Sequence, residues 1–100
     1  MAKVFRWFLG NFRGDVTCTF NSGAINHQSV VLVAASEGDS GDSTASPKRF
    51  VGSAHIRVEN IAPFDGGVVF RVIIEWDSPL PVWTDICVAD EFPQGFFRSN

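Results

Sequence analysis

In Ser53-Ala54-His55-Ile56-Arg57-Val58-Glu59 the small and apolar residues fall on even positions and the polar ones on odd positions. This is the period of two that places alternate side chains on opposite faces of a β-strand. The pattern returns twice. Val68, Phe70, Val72, Ile74 and Trp76 share one parity while Arg71 and Glu75 hold the other, and residues 82–89 repeat it with Val82, Ile86 and Val88. The connectors Pro63-Phe64-Asp65-Gly66-Gly67 and Asp77-Ser78-Pro79-Leu80-Pro81 are short and made of turn residues. The economical reading of residues 49–90 is therefore an antiparallel meander of three strands whose even side, Phe70, Val72, Ile74 and Trp76 included, faces the core.

Upstream, residues 3–9 and 12–20 are separated by Gly10-Asn11, a pair that favours a tight hairpin because glycine reaches positive φ without steric cost. Residues 30–35, Val-Val-Leu-Val-Ala-Ala, are apolar at both parities. Such a run predicts a central strand covered on both faces, or one protected by a partner chain. Residues 36–48 are the one long low-complexity polar stretch and read as a loop dispensable for folding. Residues 91–98 lack a strand period but carry Phe92, Phe96 and Phe97, apolar area expected to dock on its own sheet or a neighbour's. Without a helical pattern, these segments predict an all-β domain over residues 1–100: a small antiparallel β-sandwich or open barrel of about six strands, since each sheet must have one face covered.

Composition narrows the function classes. Eight Lys and Arg against eleven Asp and Glu give a net charge of −3, and the basic residues are scattered rather than concentrated as phosphate binding requires. No nucleic-acid partner is expected. No apolar run is long enough for a membrane helix, and the N-terminal residues lack the apolar core and cleavage site of a signal peptide. A cytoplasmic protein off the membrane is the expectation, with Cys18 and Cys87 as free thiols packed like small hydrophobes. Ten Phe and three Trp with no Tyr predict a core filled by a few large rings.

Short motifs add little. Gly38-Asp39-Ser40-Gly41 resembles the nucleophile segment of chymotrypsin-like serine proteases, but that family needs a larger double barrel with a buried Asp and a His behind the Ser. The stretch repeats at once as Gly41-Asp42-Ser43, so composition alone accounts for it. Glu37, Asp39 and Asp42 do not have the spacing of an EF-hand loop. Arg13-Gly14-Asp15 matches the tripeptide read by integrins, yet reads better as a bend or bulge at the start of a strand. His27 and His55 are the only histidines, and no paired His or Cys spacing suggests a metal site. Neither a metal nor another cofactor is expected.

The suggestive constellation is the odd face of the meander. If the first hairpin pairs residues whose numbers sum to 130 and the second those summing to 156, Arg71 lies between Glu59 and Asp85. His55 then faces Glu75, and Ile73 sits between Arg57 and Trp83. The plain reading is a solvated face of cross-strand ion pairs. Val69, Ile73, Trp83 and Cys87 add apolar content, and a Trp amid Arg and carboxylates resembles an interface or a shallow ligand platform. The candidate ligand or interface residues are Trp83, Arg57, Arg71, His55, Glu75, Asp85 and Ile73. They support a non-catalytic binding or assembly module that self-associates as a homo-oligomer, most simply a dimer, with Trp83 as anchor. The alternative is a small-ligand-binding or hydrolytic protein with a site around His55 and Trp83, although no nucleophile, metal or oxyanion site accompanies them.

Overall fold

The computed structural model describes residues 2–40 and 47–99. The strands are β1 (Lys3–Phe12), β2 (Gly14–Asn21), β3 (Val31–Gly38), β4 (Arg49–Phe50), β5 (His55–Phe64), β6 (Gly67–Glu75) and β7 (Leu80–Val88). They form two antiparallel sheets, ordered β1-β7-β3-β4 and β2-β6-β5. The expected all-β architecture is present as two sheets around one core. The even-numbered apolar residues of β6 and β7, Val68, Phe70, Val72 and Ile74 with Val82, Ile86 and Val88, are all buried in one cluster. Aromatic rings tie the sheets together: Phe5 and Trp7 of β1 lie 5.2 and 5.5 Å from Phe20 of β2, and Trp7 meets Phe70 edge-on. Ile25, in the connection from β2 to β3, plugs the core and is 2% exposed.

The first hairpin of the meander forms as its alternation predicts. His55 pairs with Glu75, Arg57 with Ile73 and Glu59 with Arg71, the register that sums to 130. A bulge then shifts the pairing by one, with Ala62 opposite Val69, and Asn60 takes a left-handed φ of 55° there. The second hairpin does not form. Although β6 and β7 are consecutive, β7 lies in the other sheet, between β1 and β3. Both even faces are apolar, and laying one over the other buries both, whereas placing the strands side by side would leave the joint face still to be covered. The connector after β6 therefore carries the chain across the core, and Trp76, at its start, is 42% exposed rather than internal.

The predicted Gly10-Asn11 hairpin is likewise absent. β1 runs on to Phe12 and pairs with β7, and Gly10, at φ 122°, is the site of a bulge that shifts the register between Phe8 and Gly10. The crossing to the second sheet comes at Arg13-Gly14, where Gly14 has φ 75°. Arg13 is tied to the connector after β6, its Nη1 donating to the Asp77 carbonyl at 3.0 Å.

The apolar run at residues 30–35 gives an interior strand with only one face covered. Val31, Val33 and Ala35 pack inward, while Val30 and Leu32 are 40% and 65% exposed. The polar stretch 36–48 is partly strand, since Ser36 to Gly38 complete β3. Its neck is closed by the Asp39 N–H donating to the Lys48 carbonyl and the Lys48 N–H donating to Asp39 Oδ2, each at 2.8 Å. Residues 41–46, Gly41 and Asp42 among them, lie outside the described residues, and with them much of the loop expected to be dispensable for folding. Only the start of the tail meets its own sheet: Phe92, 49% exposed, lines a cleft with Lys3 and Val88, while Phe96 and Phe97 are 79% and 96% exposed.

Phe70, 1% exposed on the central strand of its sheet and edge-on to Trp7 of the other, sets the first prediction. Phe70→Ala should lower stability in urea melts by about 3–5 kcal/mol, and a loss below about 1 kcal/mol would contradict the core assignment. Trp76→Ala should cost less than half as much.

Candidate functional site

Because β6 and β7 occupy different sheets, the candidate residues separate onto two outer faces that point in opposite directions. His55, Arg57, Arg71, Ile73 and Glu75 lie on the outer side of the β2-β6-β5 sheet. Trp83 and Asp85 lie on the outer side of the β1-β7-β3-β4 sheet. Arg71 therefore sits between Glu59 and Thr17, not beside Asp85, and Ile73 between Arg57 and Asp15, not beside Trp83.

On the first face, Arg57 bridges two carboxylates, its Nε donating to Glu59 Oε2 at 2.9 Å and its Nη1 to Glu75 Oε1. The Arg57 guanidinium holds the Glu75 carboxyl below the usual carboxylate range, chiefly by that hydrogen bond. About half of each of these two side chains remains in solvent. The result is a solvated ion-pair face, with a base kept ionised rather than poised for proton transfer.

The second face is built differently. Asp85 takes two hydrogen bonds from Arg6, Nε to Oδ1 at 2.7 Å and Nη2 to Oδ2 at 3.1 Å, and a third from Arg49 Nη1. Arg49 is itself aimed by its Nε–H bond to Ser36 Oγ at 2.6 Å. This forked arrangement keeps the Asp85 carboxyl low, the Arg6 hydrogen bond first and the Arg49 charge in support. Trp83 is only 9% exposed. The Phe8 ring packs against it, tilted by 49° with centroids 5.0 Å apart, and the Trp83 indole N–H donates to the Asp39 carbonyl at 2.7 Å. Gly38 makes that approach possible, since a Cβ there would come within 2.5 Å of the Trp83 ring and 2.8 Å of the Lys48 carbonyl. The glycine of the Gly38-Asp39-Ser40 segment serves the packing of an indole, not a nucleophile.

Next to this support lies an apolar row that crosses three strands in register: Val4 of β1, Cys87 of β7 and Leu32 of β3. Val4 and Leu32 are 63% and 65% exposed, Cys87 is half-buried between them, and Val30 extends the row. Sequence reasoning missed Val4, Leu32, Arg6 and Arg49. The run at residues 30–35 was the available signal for Leu32, whereas the arginines are joined to Asp85 only by long-range pairing.

Cys18 and Cys87 are free thiols on different sheets, and burial pushes the Cys18 thiol up to about 11, which makes it inert. His27 clamps the β5–β6 turn, with Nδ1 at 2.7 Å and its backbone N–H at 2.9 Å from Asp65 Oδ1. A cleft of about 160 Å³ opens between β3, β4 and β5 beside Glu37, Phe50 and Ile56. It contains neither His55 nor Trp83 and falls below the roughly 300–1,000 Å³ of ligand pockets. Among the described residues no three of His, Cys, Asp or Glu are grouped as a metal site, and no helix is long and apolar enough to cross a membrane. No family model, curated protein or solved structure matches the chain.

The Asp85 geometry makes a pH prediction. A carboxyl held below its unfolded value stabilises the fold above about pH 4, and that contribution is lost as pH falls through the lower folded value. Asp85→Asn should cost about 1–2 kcal/mol at pH 7, because it leaves the largely buried Arg49 guanidinium without its carboxylate. Urea melts at pH 7 and pH 3 check this: the variant should lose less stability between the two than wild type, and an equal loss would contradict the role given to Asp85.

Proposed function

We propose that the protein is a non-catalytic binding or assembly module that self-associates through the outer face of the β1-β7-β3-β4 sheet. The observation that carries this reading is the exposed row of Val4, Cys87 and Leu32, contiguous across three strands and extended by Val30. Exposed apolar residues scattered singly need no explanation, but a row connected across three strands has a reason to be covered. A two-fold axis would let the same row serve both copies. The Arg6–Asp85–Arg49 chain borders the row as a polar rim, and the supporting pairs around Trp83 stiffen the sheet beneath it.

Trp83, held under Phe8 and bonded to the Asp39 carbonyl, acts as a support, and Leu32 and Val4 take the role of anchors. The ligand or hydrolytic alternative around His55 and Trp83 is not carried forward, because those two side chains lie on opposite faces of the molecule.

Sedimentation equilibrium at micromolar concentration should give a species of at least twice the 11.0 kDa chain mass. Leu32→Asp, which places a charge in the row, should weaken the association at least tenfold, an effect of about 1.4 kcal/mol. A single 11.0 kDa species at every concentration would overturn the reading.

A further inference from the structure

We propose that the free edge of β2 is a second self-association site, where β2 of another copy adds antiparallel about a two-fold axis at Thr17. This goes beyond the contact proposed above, since β2 belongs to the other sheet.

Unpaired sheet edges invite strand addition, and proteins guard them with bulges, prolines, charges or shortness. Three of the four edges here are guarded. β1 carries the Gly10 bulge together with Lys3 and Arg6, β4 is two residues long, and β5 has a bulge at Asn60 followed by Pro63. β2 has no bulge and no proline, is eight residues long, and carries a single charge, Asp15. It runs from Gly14 to Asn21 in unbroken register with β6, and among the described residues no strand pairs with its other side.

The phase of the ladder says which groups are offered. The Ser22 N–H donates to the Gly66 carbonyl at 2.8 Å, in the same register as the β2–β6 pairs. In an antiparallel ladder hydrogen-bonded pairs alternate with non-bonded ones, so the even residues of β2 bond to β6. The N–H and C=O groups of Asp15, Thr17 and Thr19 then point out of the sheet edge, and all three residues are exposed.

The strand is complementary to itself in that phase. With Thr17 opposite Thr17 of the second copy, each Asp15 faces a Thr19 hydroxyl, and the outward groups pair in about six backbone hydrogen bonds. The same register keeps Val16, Cys18 and Phe20 of both copies on the core side, so two three-stranded sheets become one continuous sheet. Gly14, with nothing within 4 Å of where its Cβ would stand, leaves room beside the second copy's Phe20. Used together, the β2 edge and the apolar face are two different two-fold contacts on one protomer, which build assemblies larger than a dimer.

Thr17→Lys tests the edge. It sets two lysines opposite each other, flanked by Arg71 of each copy, while Thr17→Val keeps the strand and removes only the hydroxyl. Amide hydrogen exchange by NMR, together with sedimentation, is read on wild type, both variants, Leu32→Asp and the Leu32→Asp/Thr17→Lys double variant. The Asp15, Thr17 and Thr19 amides should exchange slowly at high concentration, and at least tenfold faster on dilution and at Asp15 and Thr19 in Thr17→Lys. Thr17→Val should keep the protection. Leu32→Asp should remain a dimer through β2, and the double variant should fall to 11.0 kDa. Fast exchange of these amides at every concentration, or an assembly size unchanged by Thr17→Lys in both backgrounds, overturns the proposal. Sensitivity to Leu32→Asp with no sensitivity to Thr17→Lys would do so while leaving the apolar face as the contact.

Discussion

The mutual burial of the even-numbered faces of β6 and β7 is the arrangement on which the rest of the structure depends. Each strand presents an apolar side, interrupted in β7 by Thr84, whose hydroxyl donates to the Trp7 carbonyl at 3.1 Å, and one laid over the other removes both from water without a further layer. Phe5, Trp7 and Phe20 close the same space from the β1 and β2 side, so a few rings do much of the filling that a small core needs. Once β6 and β7 are in opposite sheets, their odd-numbered faces must point in opposite directions. The division of the polar surface into an Arg57–Glu75 face and an Arg6–Asp85–Arg49 face follows from that single choice.

What could be read from the residues alone follows the range of the interactions involved. Alternation identified the buried sides of β6 and β7, and keeping like parities and opposite charges together gave the β5–β6 register from His55 to Glu59, while beside the Pro63–Gly67 connector the pairing is one residue off. The one-residue bulge at Asn60 left no comparable pattern in the chain. The partner of β7 was beyond reach, because period two says which side of a strand is apolar and not which strand lies beside it. A turn-rich connector serves equally for a hairpin and for a crossing between sheets. Placing Trp83 and Asp85 next to Ile73 and Arg71 was the direct consequence of reading the Asp77–Pro81 segment as a hairpin.

The candidate surface shows the same limit. Trp83 looked like an exposed anchor from its parity, and it does lie on an outer face, but Phe8, Gly38 and the Asp39 carbonyl converge on it from two other segments. Its burial takes it out of the anchoring role, which the proposed association gives to Leu32 and Val4, residues that no periodicity singled out. The ambiguous run at residues 30–35 was informative in an unexpected way. Its two apolar parities reflect one side facing the core and another side left in solvent, and the second is what a partner copy would cover.

Concentration-dependent NMR chemical shifts on the full chain test the central claim that the two outer faces have different roles. On dilution from high concentration, resonances of Val4, Val30, Leu32 and Cys87 should move together, while those of His55, Arg57 and Glu75, away from the β2 edge, stay fixed. Shifts confined to the His55–Glu75 face, with the Val4–Leu32 row unchanged, would contradict the account.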